Sequence, residues 1–182
     1  ASIEHLLPQR FYAHLSPGLE SFFDRTHDLD SHGEHLKMAL HHDHVVEACG
    51  CPDVSGLGQD DVDTVTEFYR KNYPGNWFDP RMLETNQYFG IRKGESLVSV
   101  AGIHVYSPEY KVAALGNIAT APSHRNNGYG RQATAKTCQS LLKDASHIGL
   151  NVRADNDPAL SCYNRLGFER VASYGEYMVQ RK

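Results

Sequence analysis

The chain has 182 residues, 40% of them hydrophobic and 22% charged, ordinary values for one globular domain that can bury its own core. Its 18 basic and 22 acidic side chains leave a formal charge of −4, which argues against a nucleic-acid footprint. No apolar run reaches the length of a membrane span, and residues 1–30 lack the basic-then-apolar layout of a secretory leader, so no membrane contact is expected.

Ala1 in first position implies a removed Met or missing upstream residues. Cys49 and Cys51 lie too close in sequence for an easy mutual bridge, while Cys138 and Cys162 fall in helical patterns. All four read as reduced thiols of a cytoplasmic protein. Taking the elements in order, "SPGLESFFDRTH" at 16–27 predicts a helix with Ser16 as cap and Pro17 in the first turn. "EHLKMAL" at 34–40 and "HVVEACG" at 44–50 predict short strands. Of the 11 histidines, His27, His32, His35, His41, His42 and His44 crowd this region, with Asp28, Asp30 and Asp43 near. No HExxH or Cys–His spacing is present, and "HHDH" divides its side chains between two faces. No metal is expected; these read as surface histidines or a pH-responsive interface. Residues 1–44 are set apart as an N-terminal appendage: a helical arm, a homodimer contact or the remnant of a longer protein. Residues 45–182 form the main domain.

From Leu57 the pattern sharpens. "GQDDVDTVTEFYRKNY" places acids first and bases last, in agreement with the helix macrodipole, with Val62, Val65, Phe68 and Tyr69 as its apolar face. "NWFDPRMLETN" reads as loop and short helix. Residues 87–106 give two β-type runs around a Lys93-Gly94 turn, a hairpin. "KVAALGNIATA" at 111–121 is apolar on both parities, as in a strand buried on both faces. A helix follows over 128–143, with Thr134, Thr137, Cys138, Leu141 and Leu142 on one side. "IGLNVRA" alternates as a half-buried strand. "NDPALSCYNRLGF" is a short helix closed by Gly167, and "ERVASYGEYMVQ" a final strand. The order is that of an α/β domain with a mixed sheet.

Between the buried strand and the long helix stands "RNNGYG", residues 125–130. A strand ending in a glycine-bearing turn that enters a helix offers unpaired N–H groups to an anion. The turn lacks the lysine of a Walker A loop and the third glycine of a dinucleotide fingerprint. It matches R-x-x-G-x-G in full. Around it, residues 111–143 contain no Asp or Glu but carry Lys111, Arg125, Arg131, Lys136 and Lys143, a basic window in an acidic chain.

R-x-x-G-x-G resembles the signature of the GNAT superfamily of acyl-CoA-dependent N-acetyltransferases. Upstream, "IATAPSHR" is similar to that family's apolar-x-apolar-x-Pro-x-x-Arg strand end. Downstream, Asn156, Tyr163, Gly167 and Phe168 follow its Asn-x6-Tyr-x3-Gly-Phe. The resemblance covers roughly residues 57–180. It implies a mixed, mostly antiparallel twisted sheet flanked by helices, acetyl-CoA as cosubstrate, and a small-molecule or peptide amine as acceptor. It implies that Ile118, Ala119 and Thr120 pair with the pantetheine arm, and that Arg125, Asn126, Asn127, Gly128, Tyr129 and Gly130 cradle the pyrophosphate. Asn156 would bond the pantetheine arm, and Tyr163 would protonate the departing thiolate. The family's Gly and basic residue after the arginine are Asn126 and Asn127 here, which loses one charge; Asn still tolerates a left-handed backbone.

The general base is open. The inward positions of the buried strand, Ala114, Gly116 and Asn117, supply none, and Asn151 stands where relatives carry a glutamate. Glu176, His104 or a water chain remain. Tyr73, Trp77, Phe78, Tyr106, Tyr174 and Tyr177 are aromatic candidates for the acceptor pocket. A catalytically weak acyl-CoA-binding sensor or assembly module is the alternative to an enzyme, and a metal- or partner-binding role for the N-terminal segment is a third reading.

Overall fold

The computed structural model describes residues 4–182; Ala1, with the expectation attached to it, lies outside them. In chain order the elements are β1 (Arg10–Leu15), β2 (His27–Leu40), α1 (Asp43–Glu47), β3 (Val54–Leu57), α2 (Val62–Asn72), β4 (Tyr88–Lys93), β5 (Ser96–Ser107), β6 (Val112–Thr120), α3 (Tyr129–Leu141), β7 (His147–Arg153), α4 (Asp157–Asn164) and β8 (Phe168–Arg181). The fold is α/β with mostly antiparallel strand pairs. Two compact units divide the chain.

The larger unit holds Ala39–Leu150 and Ser161–Glu169. Its strands run β7-β6-β5-β4-β3, antiparallel except for β6 and β7. The β4–β5 hairpin turns at Gly94, whose φ of 59° is the left-handed value such a turn demands. α2 turns Val65, Phe68 and Tyr69 inward, and α3 buries Ala133, Thr134, Ala135, Thr137, Cys138 and Leu141. The buried threonines on α3 are satisfied within the helix: Thr134 Oγ1 donates to the Gly130 carbonyl at 2.7 Å and Thr137 Oγ1 to that of Ala133 at 3.0 Å. Burying each leucine- or valine-sized side chain here contributes about 1.5–3 kcal/mol.

The smaller unit holds residues 4–38, Asn151–Leu160 and Arg170–Lys182. β1 pairs antiparallel with β8 from Arg10↔Gln180 to Leu15↔Gly175, and β8 is followed by β2. Leu15, Leu36, Met38, Tyr174 and Val179 are buried, while Phe11, Phe23 and His27 meet edge to face at 5.4–6.3 Å between ring centres.

Three local expectations need correction. The helix at 16–27 is a single 3-10 turn, Leu19–Phe22: Gly18 takes φ 89° at its start, Ser16 supplies no cap, and Phe23 packs on His27 at the head of β2. Residues 34–40 are the end of a longer strand, β2, that begins at His27. The stretch at 44–50 opens inside α1, with Val46 fully buried and Gln139 Nε2 of α3 donating to the carbonyls of Val46 (2.8 Å) and Cys49 (3.0 Å). From Leu57 onward the predicted elements stand in the predicted order.

Candidate functional site

In the larger unit, β6 ends at Thr120 and the chain reaches α3 through one 3-10 turn, Pro122–His124, and a tight loop. Asn126 (φ 65°) and Gly128 (φ 76°) are both left-handed, as an Asn-for-Gly exchange at this turn permits. Asn127 Nδ2 donates to the carbonyls of His124 (3.2 Å) and Arg125 (3.0 Å), which pins the loop. Among the described residues, none of the peptide N–H groups from Asn126 through Arg131 donates to a protein acceptor; the first to do so is Gln132, to the Gly128 carbonyl at 3.0 Å. A concave run of free N–H groups at the positive end of a 13-residue helix is an anion cradle. Gly130 lets the helix start approach the strand: a Cβ there would stand 3.1 Å from Thr120 Oγ1.

β6 pairs with β7 only over Val112–Leu115, opposite His147–Leu150. Beyond that point the register of β6 with β5 also breaks. Pairing passes from Gly102↔Gly116 to Val100↔Ala119, one extra residue on β6, where Asn117 takes φ 54°. A second break lies between Ile103↔Leu115 and Val105↔Ala114, and the extra residue is His104. Bulges re-aim side chains, and these two aim theirs at each other: His104 Nε2 lies 3.1 Å from Asn117 Oδ1. The Asn117 amide is buried among further partners. Its Nδ2 donates to Tyr88 Oη (3.0 Å) and toward Met82 Sδ (3.6 Å); its Oδ1 accepts from Asn76 Nδ2 (3.3 Å); its carbonyl accepts from Tyr69 Oη (2.6 Å). Burial pushes the Tyr88 phenol up to about 12, against its bonds with Asn117 and Ile103, and pushes Tyr69 well above the ordinary range. On β6 the inward positions are Ala113, Leu115 and Asn117, while Ala114 and Gly116 face the other, half-buried side. Neither set contains a base.

Tyr163 of α4 is 7% exposed. Burial, reinforced by Cys162, Tyr73 and Cys138, raises its phenol well above the ordinary value, so it holds its proton. Its hydroxyl bonds to no group among the described residues, and its ring leans on Phe168 at 6.1 Å. A buried phenol whose hydroxyl has no partner is poised to donate to a ligand atom.

The residues singled out in the sequence therefore divide. Ile118, Ala119, Thr120, residues 125–130, His104 and Tyr163 belong to the larger unit. Asn156 and Glu176 belong to the smaller. Asn156 caps α4, its Oδ1 accepting from the Ala159 N–H at 3.3 Å. Glu176 Oε2 sits between His35 (3.4 Å) and His14 (3.7 Å), whose rings lie against Tyr174. Of the proposed pocket aromatics, Tyr73 and Trp77 are exposed beside α2, Trp77 meeting His104 at 6.1 Å between rings. Phe78 instead packs between Tyr69 and Tyr88. Tyr106 donates to Asp144, and Tyr174 and Tyr177 belong to the smaller unit. In the sequence Asn117 stands only as an asparagine after Leu115 and Gly116 in an apolar run, and nothing along the chain links it to Tyr69 or Tyr88.

Residues 57–168 match the acetyltransferase (GNAT) family. An uncharacterized protein of Mycobacterium leprae is 34% identical over 110 residues, 58% of this chain and 29% of that protein. The N-alpha-acetyltransferase RimI of Mycobacterium tuberculosis is 36% identical over 98 residues, 50% of this chain and 58% of its own length. The chain thus spans less than two thirds of either of these relatives. A GNAT-family crystal structure from Novosphingobium aromaticivorans superposes with a TM-score of 0.74 at 19% identity, over 99% of this chain and 79% of that one, a likeness of fold.

Proposed function

The chain belongs to the acetyltransferase (GNAT) family, and from that premise we propose that it is an N-acetyltransferase carrying an acetyl group from acetyl-CoA to a primary amine by direct attack. The observation that carries this reading is the row of unpartnered N–H groups from Asn126 through Arg131 at the start of α3. Such a run at a helix start suits a pyrophosphate, and the neighbouring Arg125 and Arg131 add charge, with no Asp or Glu in 111–143. The end of β6, released from β7 after Leu115, leaves Ile118, Ala119 and Thr120 to hold the pantetheine arm through the backbone.

An amine with an ordinary pKa is neutral in only about one molecule in 2,500 at pH 7, so a proton must leave before attack. The nitrogen then attacks the thioester carbon, an amide from the end of β6 polarises the carbonyl oxygen, and the C–S bond breaks. Tyr163 donates its phenolic proton to the sulfur. The second proton on the nitrogen returns through water to Tyr163. The first proton goes to His104 or to water. The relative named for N-alpha-acetylation makes a free peptide N-terminus the first acceptor to try.

Titration calorimetry with acetyl-CoA, followed by a thiol-release screen of peptides, polyamines, amino acids and aminoglycosides, tests the proposal. Binding in the micromolar range with turnover of at least one amine is expected. No affinity for acetyl-CoA overturns it; binding without turnover of any amine favours the sensor.

A further inference from the structure

Resting on the acetyltransferase reading, we propose that His104 takes the proton from the acceptor ammonium, and that Asn117 and Tyr88 hold it in the Nε2–H tautomer so that Nδ1 keeps its lone pair for this purpose. The tautomer follows from a chain of groups that each can act in one way only. Tyr88 Oη has one proton, and its neighbours at 2.8 Å and 3.2 Å, the Ile103 carbonyl and Met82 Sδ, only accept. That proton is spent on one of them. Toward Asn117, 3.0 Å away, the hydroxyl must accept, so it faces Nδ2. Met82 Sδ, an acceptor too, lies on the same side of the amide. Oδ1 therefore faces Asn76 Nδ2 and His104 Nε2. An amide oxygen can only accept, so the 3.1 Å contact with the imidazole requires the proton on Nε2. In the neutral ring the lone pair is left on Nδ1, which bonds to nothing among the described residues.

The ring has little freedom to turn away. It lies over Gly116, where a Cβ would stand 2.4 Å from it, and it projects as the extra residue of the β5 bulge. Trp77, 68% exposed on the loop after α2, stands edge to face with the ring at 6.1 Å, and His104 is itself exposed, within reach of solvent and substrate. The groups facing the ring are Trp77 from that loop and Gly116 and Asn117 from β6. Behind Asn117 stand the Tyr88 and Tyr69 phenols, kept neutral by burial. No carboxylate or ammonium pairs with His104 among the described residues. In the reaction Nδ1 gains the ammonium proton, the amine becomes neutral and attacks, and the imidazolium returns its proton to water.

Long-range proton–nitrogen NMR of the free, histidine-labelled protein in mildly alkaline buffer, with His104→Gln to assign the ring, reads the tautomer without substrate. The expected pattern is Nε2–H; a proton on Nδ1 overturns the proposal. With acetyl-CoA and an amine that turns over, His104→Gln is expected to lower kcat about a hundredfold, leave the amine KM within about twofold, and flatten the acid limb of the pH–rate profile. Asn117→Asp, which tolerates the left-handed backbone, sets a carboxylate against Nε2, stabilises the charged ring and moves that limb to higher pH. Tyr88→Phe frees the amide to turn over and lowers kcat with little change in KM. A His104→Gln profile that keeps the wild-type limb overturns the role of base. Failure of every amine with an Nε2–H spectrum counts against the acetyltransferase reading alone and upholds the tautomer.

Discussion

At the scale of single residues, the chemistry depends on where protons are held. Tyr163 and Tyr88 are both buried phenols, yet they differ in what meets the hydroxyl. Tyr88 is committed to Ile103 and Asn117, whereas Tyr163 has no partner among the described residues. In the proposed reaction the first positions, and the second serves the leaving group. Burial raises the Tyr163 phenol and so favours its protonated form; the proposed mechanism passes that proton to the departing sulfur. Tyr163→Phe is expected to lower kcat by about two orders of magnitude while the acetyl-CoA Kd, read by calorimetry, stays within about twofold. An unchanged kcat would assign the proton to water instead. Tyr163 was identifiable from its place in the Asn-x6-Tyr-x3-Gly-Phe pattern. Tyr88 was not, because its hydroxyl finds its partners across strands rather than along the chain.

At the scale of elements, the turn from β6 into α3 is built from residues close together in the chain. Asn126 and Gly128 adopt left-handed backbone, Asn127 ties the loop to His124 and Arg125, and Pro122 starts the 3-10 turn before it. All of these act within a few residues, so the turn was legible in "PSHRNNGYG". Gly128→Ala puts a Cβ on a backbone with φ 76° in open space, a strain of about 1 kcal/mol without a clash. Urea unfolding is expected to register that loss. Calorimetry is expected to show acetyl-CoA binding weakened several-fold, since the strained turn no longer aims its N–H groups together. A loss of stability with full affinity would place the anion elsewhere. The elements before residue 50 were less legible. A short apolar run such as "HVVEACG" satisfies strand and helix patterns alike, and the contact that decides for α1, Gln139 reaching Val46 and Cys49, comes from α3, some 90 positions along the chain. Likewise the 16–27 segment has helix punctuation, but the packing of Phe23 on His27 and Phe11 ends it after one turn.

At the scale of the whole molecule, an acidic chain with net charge −4 keeps a stretch free of acids around the β6–α3 turn, the proposed seat of the coenzyme's phosphates. That local field is screened by salt, so raising sodium chloride from about 0.05 to about 0.5 M is expected to weaken acetyl-CoA binding several-fold, with most of the effect in the association rate. Salt-independent affinity in stopped-flow and calorimetry would mean that the peptide N–H groups act without help from Arg125 and Arg131. The sequence by itself determined the α/β order from Leu57, the β6–α3 turn and the tyrosine of α4, because periodicity, backbone permissiveness and unpaired helix-start amides are properties of neighbours along the chain. Only the tertiary structure decided that Asn117, His104 and Tyr88 converge. Two bulges in adjacent strands bring them together, and the position of a proton on His104 is set by what stands across the strand, not by what stands beside it in the chain.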